Sequence, residues 1–211
     1  MKATALLAAL LGLTTSHAAT LFSLDDFQDG TLQNWSGNSG RILVPTGGPS
    51  GAGDAFLSMG NAGQNRLATF NKADHAGDYL AAGIVAVTLD MMAPATNPTA
   101  PDMRVVLFGP RANDRWTSAT PHTVPNDGVW RSYTFSFDES ELAHVLGGNT
   151  YAAMISDVER LMFRYDPGGP SSDGVNYNGQ VNLDNIRLVP EPSTTLFLAL
   201  TTAALITRRR R

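Results

Sequence analysis

Val129-Trp130-Arg131-Ser132-Tyr133-Thr134-Phe135-Ser136-Phe137 alternates along its length. Val129, Tyr133, Phe135 and Phe137 fall on one side, interrupted by Arg131, while Ser132, Thr134 and Ser136 fall on the other. A period of two is that of a strand with one face against a core and the other in water. A helix would put its apolar residues three and four places apart. The stretch 84–92 repeats the pattern, with Val85, Val87, Leu89 and Met91 opposite Ala86, Thr88 and Asp90.

Working outward, short apolar or alternating runs recur between Gly, Pro, Asn and Asp. They predict strands near 21–27, 41–44, 55–59, 66–70, 84–92, 103–108, 115–118, 129–137, 160–165 and 180–189. Many short strands at this spacing predict an all-β, two-sheet antiparallel β-sandwich. The last run changes phase: Val181 and Leu183 share one face, Ile186 and Leu188 the other. A bulge at Asp184-Asn185 would accommodate that change and turn two polar side chains toward one site. One or two short helices are also expected. Asp138-Glu139-Ser140-Glu141 places acids at a helix start, residues 142–146 follow, and Gly147-Gly148 ends the run. A second helical turn is expected near 152–158.

The chain has 211 residues, 43% hydrophobic and 16% charged, with Gly 20 and Pro 12, which suits one core-forming domain rich in turns. The formal charge is −4, but Lys2 and Arg208 to Arg211 lie in terminal segments expected to be removed. That leaves 10 basic residues against 19 acidic ones, or 18 if Glu191 also leaves, so the mature domain carries −9 or −8. A net negative domain argues against nucleic acid as a partner. It is compatible with neutral glycans or bound divalent cations. With Cys 0, disulfides, cysteine-ligated zinc and thiol catalysis are excluded.

The ends carry addresses. Residues 1–19 read as a signal peptide: Lys2 is the positive region, 5–13 the apolar stretch, and Ser16-His17-Ala18 the small residues a signal peptidase inspects. At the other end, Pro190-Glu191-Pro192 leads into an apolar run, 194–207, and then Arg208 to Arg211. That run is about 14 residues, shorter than the roughly 20 of a full bilayer span. The terminal arginines favour the cytoplasmic side. The three parts in this order resemble the PEP-CTERM sorting signal of Gram-negative bacteria. The resemblance covers the last 23 or so residues and implies processing by an exosortase near Pro190, Glu191 and Pro192. It also implies delivery to the outer surface or extracellular matrix, with transient membrane contact through a short hydrophobic helix. The domain itself is expected to span 20–189, with the sorting tail over 190–211.

The middle region resembles galactose-binding-like jelly-roll domains found in carbohydrate-binding modules. The likeness is carried by Asp25-Asp26-Phe27 with Gly30 and Trp35, by Asp127-Gly128-Val129-Trp130, and by Leu183-Asp184-Asn185-Ile186-Arg187-Leu188. It implies that the first and last strands lie close together, and that a structural calcium ion sits near them. Calcium takes carboxylate, carbonyl and amide oxygens, and Asp25, Asp26 and Asp184 would converge on it if those strands pair. Loop 166–179, with Asp173, Asn176 and Asn178, is a second oxygen-rich segment without EF-hand spacing.

For glycan binding the candidates are Trp35, Trp116 and Tyr177, whose rings could stack on sugar faces, with Arg115 as a planar polar partner beside Trp116. Each ring also fits a core edge, since aromatic side chains are more often buried. Catalysis has no short signature here: His75, His122 and His144 are scattered, H-E-x-x-H and G-x-S-x-G are absent, and no carboxylate pair stands out. Three functions therefore remain open. One is a non-catalytic surface or matrix protein that binds glycan or exopolysaccharide. The second is a small extracellular polysaccharide-cleaving enzyme, a glycosidase or lyase, on the same fold. The third is a structural coat component without a specific ligand.

Overall fold

The computed structural model describes residues 23–37, 40–60, 66–110 and 113–191. Residues 1–19, expected to be a signal peptide, and residues 192–211 of the expected sorting tail lie outside the described residues. Among the described residues no helix is long and apolar enough to cross a membrane.

Among the described residues twelve strands form two six-stranded antiparallel sheets. The first sheet contains β1 (Leu24–Asp25), β2 (Gly40–Val44), β3 (Phe56–Gly60), β5 (Ile84–Met92), β9 (Arg131–Ser136) and β12 (Gln180–Pro190). Its order is β2-β3-β12-β5-β9, with β1 also paired to β12. The second sheet contains β4 (Ala68–Asn71), β6 (Asp102–Phe108), β7 (Arg115–Ser118), β8 (His122–Thr123), β10 (Leu142–Leu146) and β11 (Arg160–Tyr165). Its order is β10-β7-β6-β11-β4, with β8 paired to β6. The architecture is the expected jelly-roll sandwich, and its first and last strands are hydrogen-bonded neighbours.

The core lies where alternation places it. Val87, Leu89, Met91 and Phe135 face inward from the first sheet and meet Met103, Val105, Leu107, Leu161 and Phe163 from the second. Burying such side chains supplies the main drive for closing one sheet on the other. The bulge in β12 lies where the phase changes. The register with β5 shifts between Asp184 and Arg187, and Asn185 takes a left-handed φ of 51°. One extra residue turns the strand half a period, so Val181, Leu183, Ile186 and Leu188 all reach the core.

Residues 142–146 depart from the expected helix. Only Glu139–Glu141 makes a 3-10 turn, and Leu142–Leu146 runs on as β10 beside β7. A helix this short gains little from its own hydrogen bonds. As a strand, Leu142 enters the core and the segment completes the sheet edge. Among the described residues the α-helix is α1 (Tyr151–Ile155), which overlaps the second turn expected near 152–158, with the Thr150 side chain accepting from the Ala153 N–H.

Leu183 is fully buried on β12, between β3 and β5. Leu183→Ala is expected to lower the unfolding free energy by about 2–5 kcal/mol. Urea titration checks this, with an unchanged slope showing that the two states compared are the same.

Candidate functional site

The outer face of the second sheet carries a lattice of arginine and ring side chains, laid out by strand register. Arg115 on β7 lies opposite Phe108 on β6, which lies opposite Arg160 on β11. The next row runs Thr117, Val106, Met162 and Phe70, and the third runs Arg104, Arg164 and Ala68. All of these point away from the core because Leu107, Leu161 and Phe163 take the alternate positions.

A guanidinium under protein must have its N–H groups answered. Arg104 is fully buried and donates through Nε to Asp166 O at 3.0 Å, through Nη1 to Ser118 O at 2.5 Å and through Nη2 to Gly168 O at 2.5 Å. Arg164 donates to Ser172 O at 3.0 Å, to Asp166 Oδ2 at 2.9 Å, and to Ser171 O. These bonds pin loop 166–174 across one end of the sheet face. Asp166 closes the loop by accepting from the Ser171 hydroxyl at 2.8 Å. Gly174 adopts φ 67°, and a Cβ there would come within 2.9 Å of Tyr165 O. Burial lowers the pKa of both Arg104 and Arg164, with Asp166 pulling the other way in each case.

The pinned loop walls a groove of about 140 Å³ over this lattice. Its charged lining is Arg66, Arg115, Arg160, Arg164 and Asp173, and its apolar lining includes Phe108 and Met162. The Arg160 guanidinium lies 4.3 Å from the centroid of the Phe70 ring and 4.6 Å from that of Phe108. Arg115 lies 5.0 Å from the Phe108 centroid. Asp173 accepts from Arg66 at 3.0 Å and from Arg115 at 3.1 Å. Desolvation pushes the Asp173 carboxyl up, but the combined pull of Arg66 and Arg115 outweighs it and holds the carboxyl below its ordinary value.

Of the residues read from sequence as glycan-binding, Arg115 is in this groove. The three rings are not on its surface. Trp35 is 3% exposed, stacks near Phe163 and donates its indole N–H to Asp25 Oδ2 at 2.7 Å. Trp116 is 8% exposed, lies flat on His144 with centroids 4.7 Å apart, and donates to Asp114 Oδ2 at 3.3 Å. Tyr177 packs on Tyr165 and donates its hydroxyl to Thr99 O. Each ring closes a core edge and satisfies its polar atom there, which leaves no face for a sugar. Arg66, Arg160, Phe70, Phe108 and Met162 were not singled out in the sequence. The usable signal was the alternation at 160–165, which sets Arg160, Met162 and Arg164 on one face.

The first sheet gathers the opposite charge on its own outer face. Asp184 and Asp90 are cross-strand partners, and Asn185 on the bulge donates to Asp90 Oδ2 at 2.8 Å. Gln28 links Asp26 to Asp54, donating its backbone N–H to Asp26 Oδ1 and its side-chain amide to Asp54 Oδ1. Asp184 is 0% exposed and its Oδ2 has no hydrogen-bond partner among the described residues. At Gly48 a Cβ would stand 2.5 Å from Asp54 Oδ2 and 3.1 Å from Asp184 Oδ2, so only glycine leaves that space open. Asp25 does not join them. It points inward and accepts from Trp35 and from His75 Nε2, both at 2.7 Å. Of the expected Asp25, Asp26 and Asp184, only Asp26 and Asp184 lie on this face, where Asp54 and Asp90 also act on Asp184. Among the described residues no three His, Asp or Glu side chains are gathered closely enough to hold a metal ion unaided. Calcium also takes carbonyl and water oxygens. The orphaned Asp184 Oδ2 and the open space at Gly48 fit such a cation.

No protein-family model matches the chain, and no curated protein matches it in sequence. Solved structures match its fold. A family 11 carbohydrate-binding module from Clostridium thermocellum, in complex with a β-1,3-1,4-mixed-linked tetrasaccharide, matches at 16% identity and TM-score 0.50, over 79% of this chain and 94% of its own. An exo-β-agarase matches at 14% identity and TM-score 0.57, over 80% of this chain and 24% of its own. The agarase AgWH50C matches at 11% identity and TM-score 0.52, over 79% and 24%. The chain thus spans about a quarter of each agarase. At these identities the likeness is one of fold.

Burial pushes the Asp184 carboxyl up to about 7; the Asn185 N–H pulls it back, and Asp54, Asp90 and Asp26 push it further. A carboxyl with a native pKa above its unfolded value of about 3.9 holds its proton more tightly when folded. Its contribution to stability is therefore lost as pH rises from about 4 to about 7. In chelator, Asp184→Asn is expected to melt higher than wild type at pH 8, with the gap narrowing toward pH 4.5. Melting curves across that range check this, and a pH-independent gap would count against it.

Proposed function

We propose that this protein is an exported glycan-binding module without catalytic activity of its own, its ligand lying in the arginine-lined groove of the second sheet. The observation that carries the reading is the groove itself, an open sheet face walled by a loop that two buried arginines hold down. Its shape does not wait for a ligand, so binding need not order the loop. The overlap with nearly the whole of a carbohydrate-binding module supports binding over cleavage. So do the groove's acids. A glycosidase needs one carboxyl held protonated near neutral pH. Asp173, the acid of the lining, is shifted the other way, and Asp166 beneath the loop is spent on Arg164 and that loop.

The address comes from the ends. Residues 1–19 direct export, and the tail from Pro190 directs exosortase processing and delivery to the outer surface or extracellular matrix of a Gram-negative bacterium. Pro190 and Glu191 already belong to the fold, since Pro190 ends β12 opposite Ile84 and the Glu191 N–H donates to Gly83 O at 2.7 Å. A calcium ion in the space beside Gly48, held by Asp184 Oδ2 and Asp54 Oδ2 with carbonyl and water oxygens as its other ligands, completes the proposal. It would act structurally, offsetting the mutual repulsion of these carboxylates where β12 bulges.

Affinity electrophoresis through gels cast with a polysaccharide panel tests the binding function. The protein is expected to be retarded by at least one polysaccharide, and Met162→Trp, which fills the groove, to weaken that retardation at least about tenfold. Absence of retardation, or equal retardation of the variant, contradicts the reading and favours a coat component. Sugar release from the same panel would favour an enzyme.

Calcium at a hundredfold excess over its Kd is expected to stabilise the wild type by about 2.7 kcal/mol. Melting curves with calcium and with chelator check this, and Asp184→Asn is expected to lose the difference. An unchanged wild-type midpoint removes the ion from the account.

A further inference from the structure

The groove's charge is opposite to that of the protein around it. The chain carries −4 overall, yet the groove lining holds four arginines, Arg66, Arg115, Arg160 and Arg164, and one acid, Asp173. The Nε atoms of Arg115, Arg160 and Arg164 are buried and have no hydrogen-bond partner among the described residues. Buried donors left unanswered are costly, and all three residues line the one groove. The rings beneath are also committed. A neutral pyranose needs a bare aromatic face to stack on, and Phe70 and Phe108 are covered by the guanidinium of Arg160, with Arg115 also over Phe108. An arginine laid on a ring keeps its orientation and presents its N–H fork at the edge, where a planar carboxylate or a sulfate oxygen can accept two bonds. Asp173 shows the chemistry within the chain: its carboxylate already bridges Arg66 and Arg115 from the loop.

We infer that the groove selects anionic glycans, binding a carboxylate or sulfate ester on the sugar through Arg160 and Arg115. The inference rests on the groove being the glycan site and names the class of ligand it takes. A polysaccharide is favoured over nucleic acid because the fold is that of a carbohydrate-binding module, and DNA binding is an outcome of the test.

The test is affinity electrophoresis of the purified protein in gels containing polygalacturonate, a sulfated galactan, a neutral mixed-linkage β-glucan or single-stranded DNA. The protein is expected to be retarded by the polyuronate or the sulfated glycan, the better of the two identifying the anion, with retardation falling as salt rises. Arg160→Gln should weaken it at least about tenfold. Asp173→Asn, which removes the internal competitor from Arg66 and Arg115, should tighten it by about threefold. That gain would not come from arginines that only hold the loop. If Arg160→Gln fails to fold, Arg160→Lys keeps the charge without the fork and should still lose most of the affinity. Groove-dependent binding of the neutral glucan alone would overturn this inference and leave the glycan-binding reading standing. Absence of binding to any glycan would overturn both. Equal binding to DNA, or anionic binding indifferent to Arg160 and Asp173, would overturn the proposed selectivity.

Discussion

Charge cannot be taken from water without an answering partner, and on the outer face of the second sheet this rule organises the molecule. Arg104 and Arg164 sit one residue opposite the other on β6 and β11, both buried. Strand register alone put them there, and the strands supply one acceptor on that face, the Ser118 carbonyl at the end of β7. The other acceptors come from loop 166–174, which bends back to offer the carbonyls of Asp166, Gly168, Ser171 and Ser172 and the carboxylate of Asp166. The loop is thus fixed by the charges it covers. The groove wall follows from that fixing, and the remaining arginines of the lattice, with no comparable cover, line the open part.

The two outer faces divide the electrostatics between them. The second sheet collects arginine, the first collects aspartate, and the apolar layer between the sheets keeps the sets apart. On the first sheet the arrangement depends on a single backbone event. The bulge at Asp184 and Asn185 lets a long strand keep four apolar side chains in the core while turning Asp184 and Asn185 toward Asp90. The same event that preserves the core therefore builds the acidic site, and Asp184 bears the cost as a carboxyl whose proton is held unusually tightly.

Much of this was legible in the residues. The alternation at 133–137 and 87–91 gave the sheet faces correctly, while Val129 lies exposed outside β9 and Val85 is not in the core. The phase change at 180–189 located the bulge. Both signals are properties of a two-residue period that no tertiary contact needs to supply. The pairing of first and last strands followed from the family resemblance. The segment 142–146 misled because acids before an apolar run and glycines after it suit a helix, and only the presence of β7 as a partner makes a strand the better choice. Trp35, Trp116 and Tyr177 misled because polar sequence neighbours suggested exposure. For Trp116 those neighbours include the group that satisfies the buried ring, Asp114, whereas Trp35 is answered by Asp25, ten residues back in the chain. The groove was hidden for a different reason. Arg66, Arg115 and Arg160 lie far apart in sequence and meet through the order β7-β6-β11-β4, which periodicity does not give.

The account stands on the outer face of the second sheet being where ligand lands. Backbone amide shifts of the labelled domain during titration with an acidic oligosaccharide test that most directly. The account predicts shifts confined to β4, β6, β7, β11 and residues 166–174, saturating together with one Kd. Shifts centred on the first sheet around Asp184 and Asp90, or scattered without saturation, would contradict it.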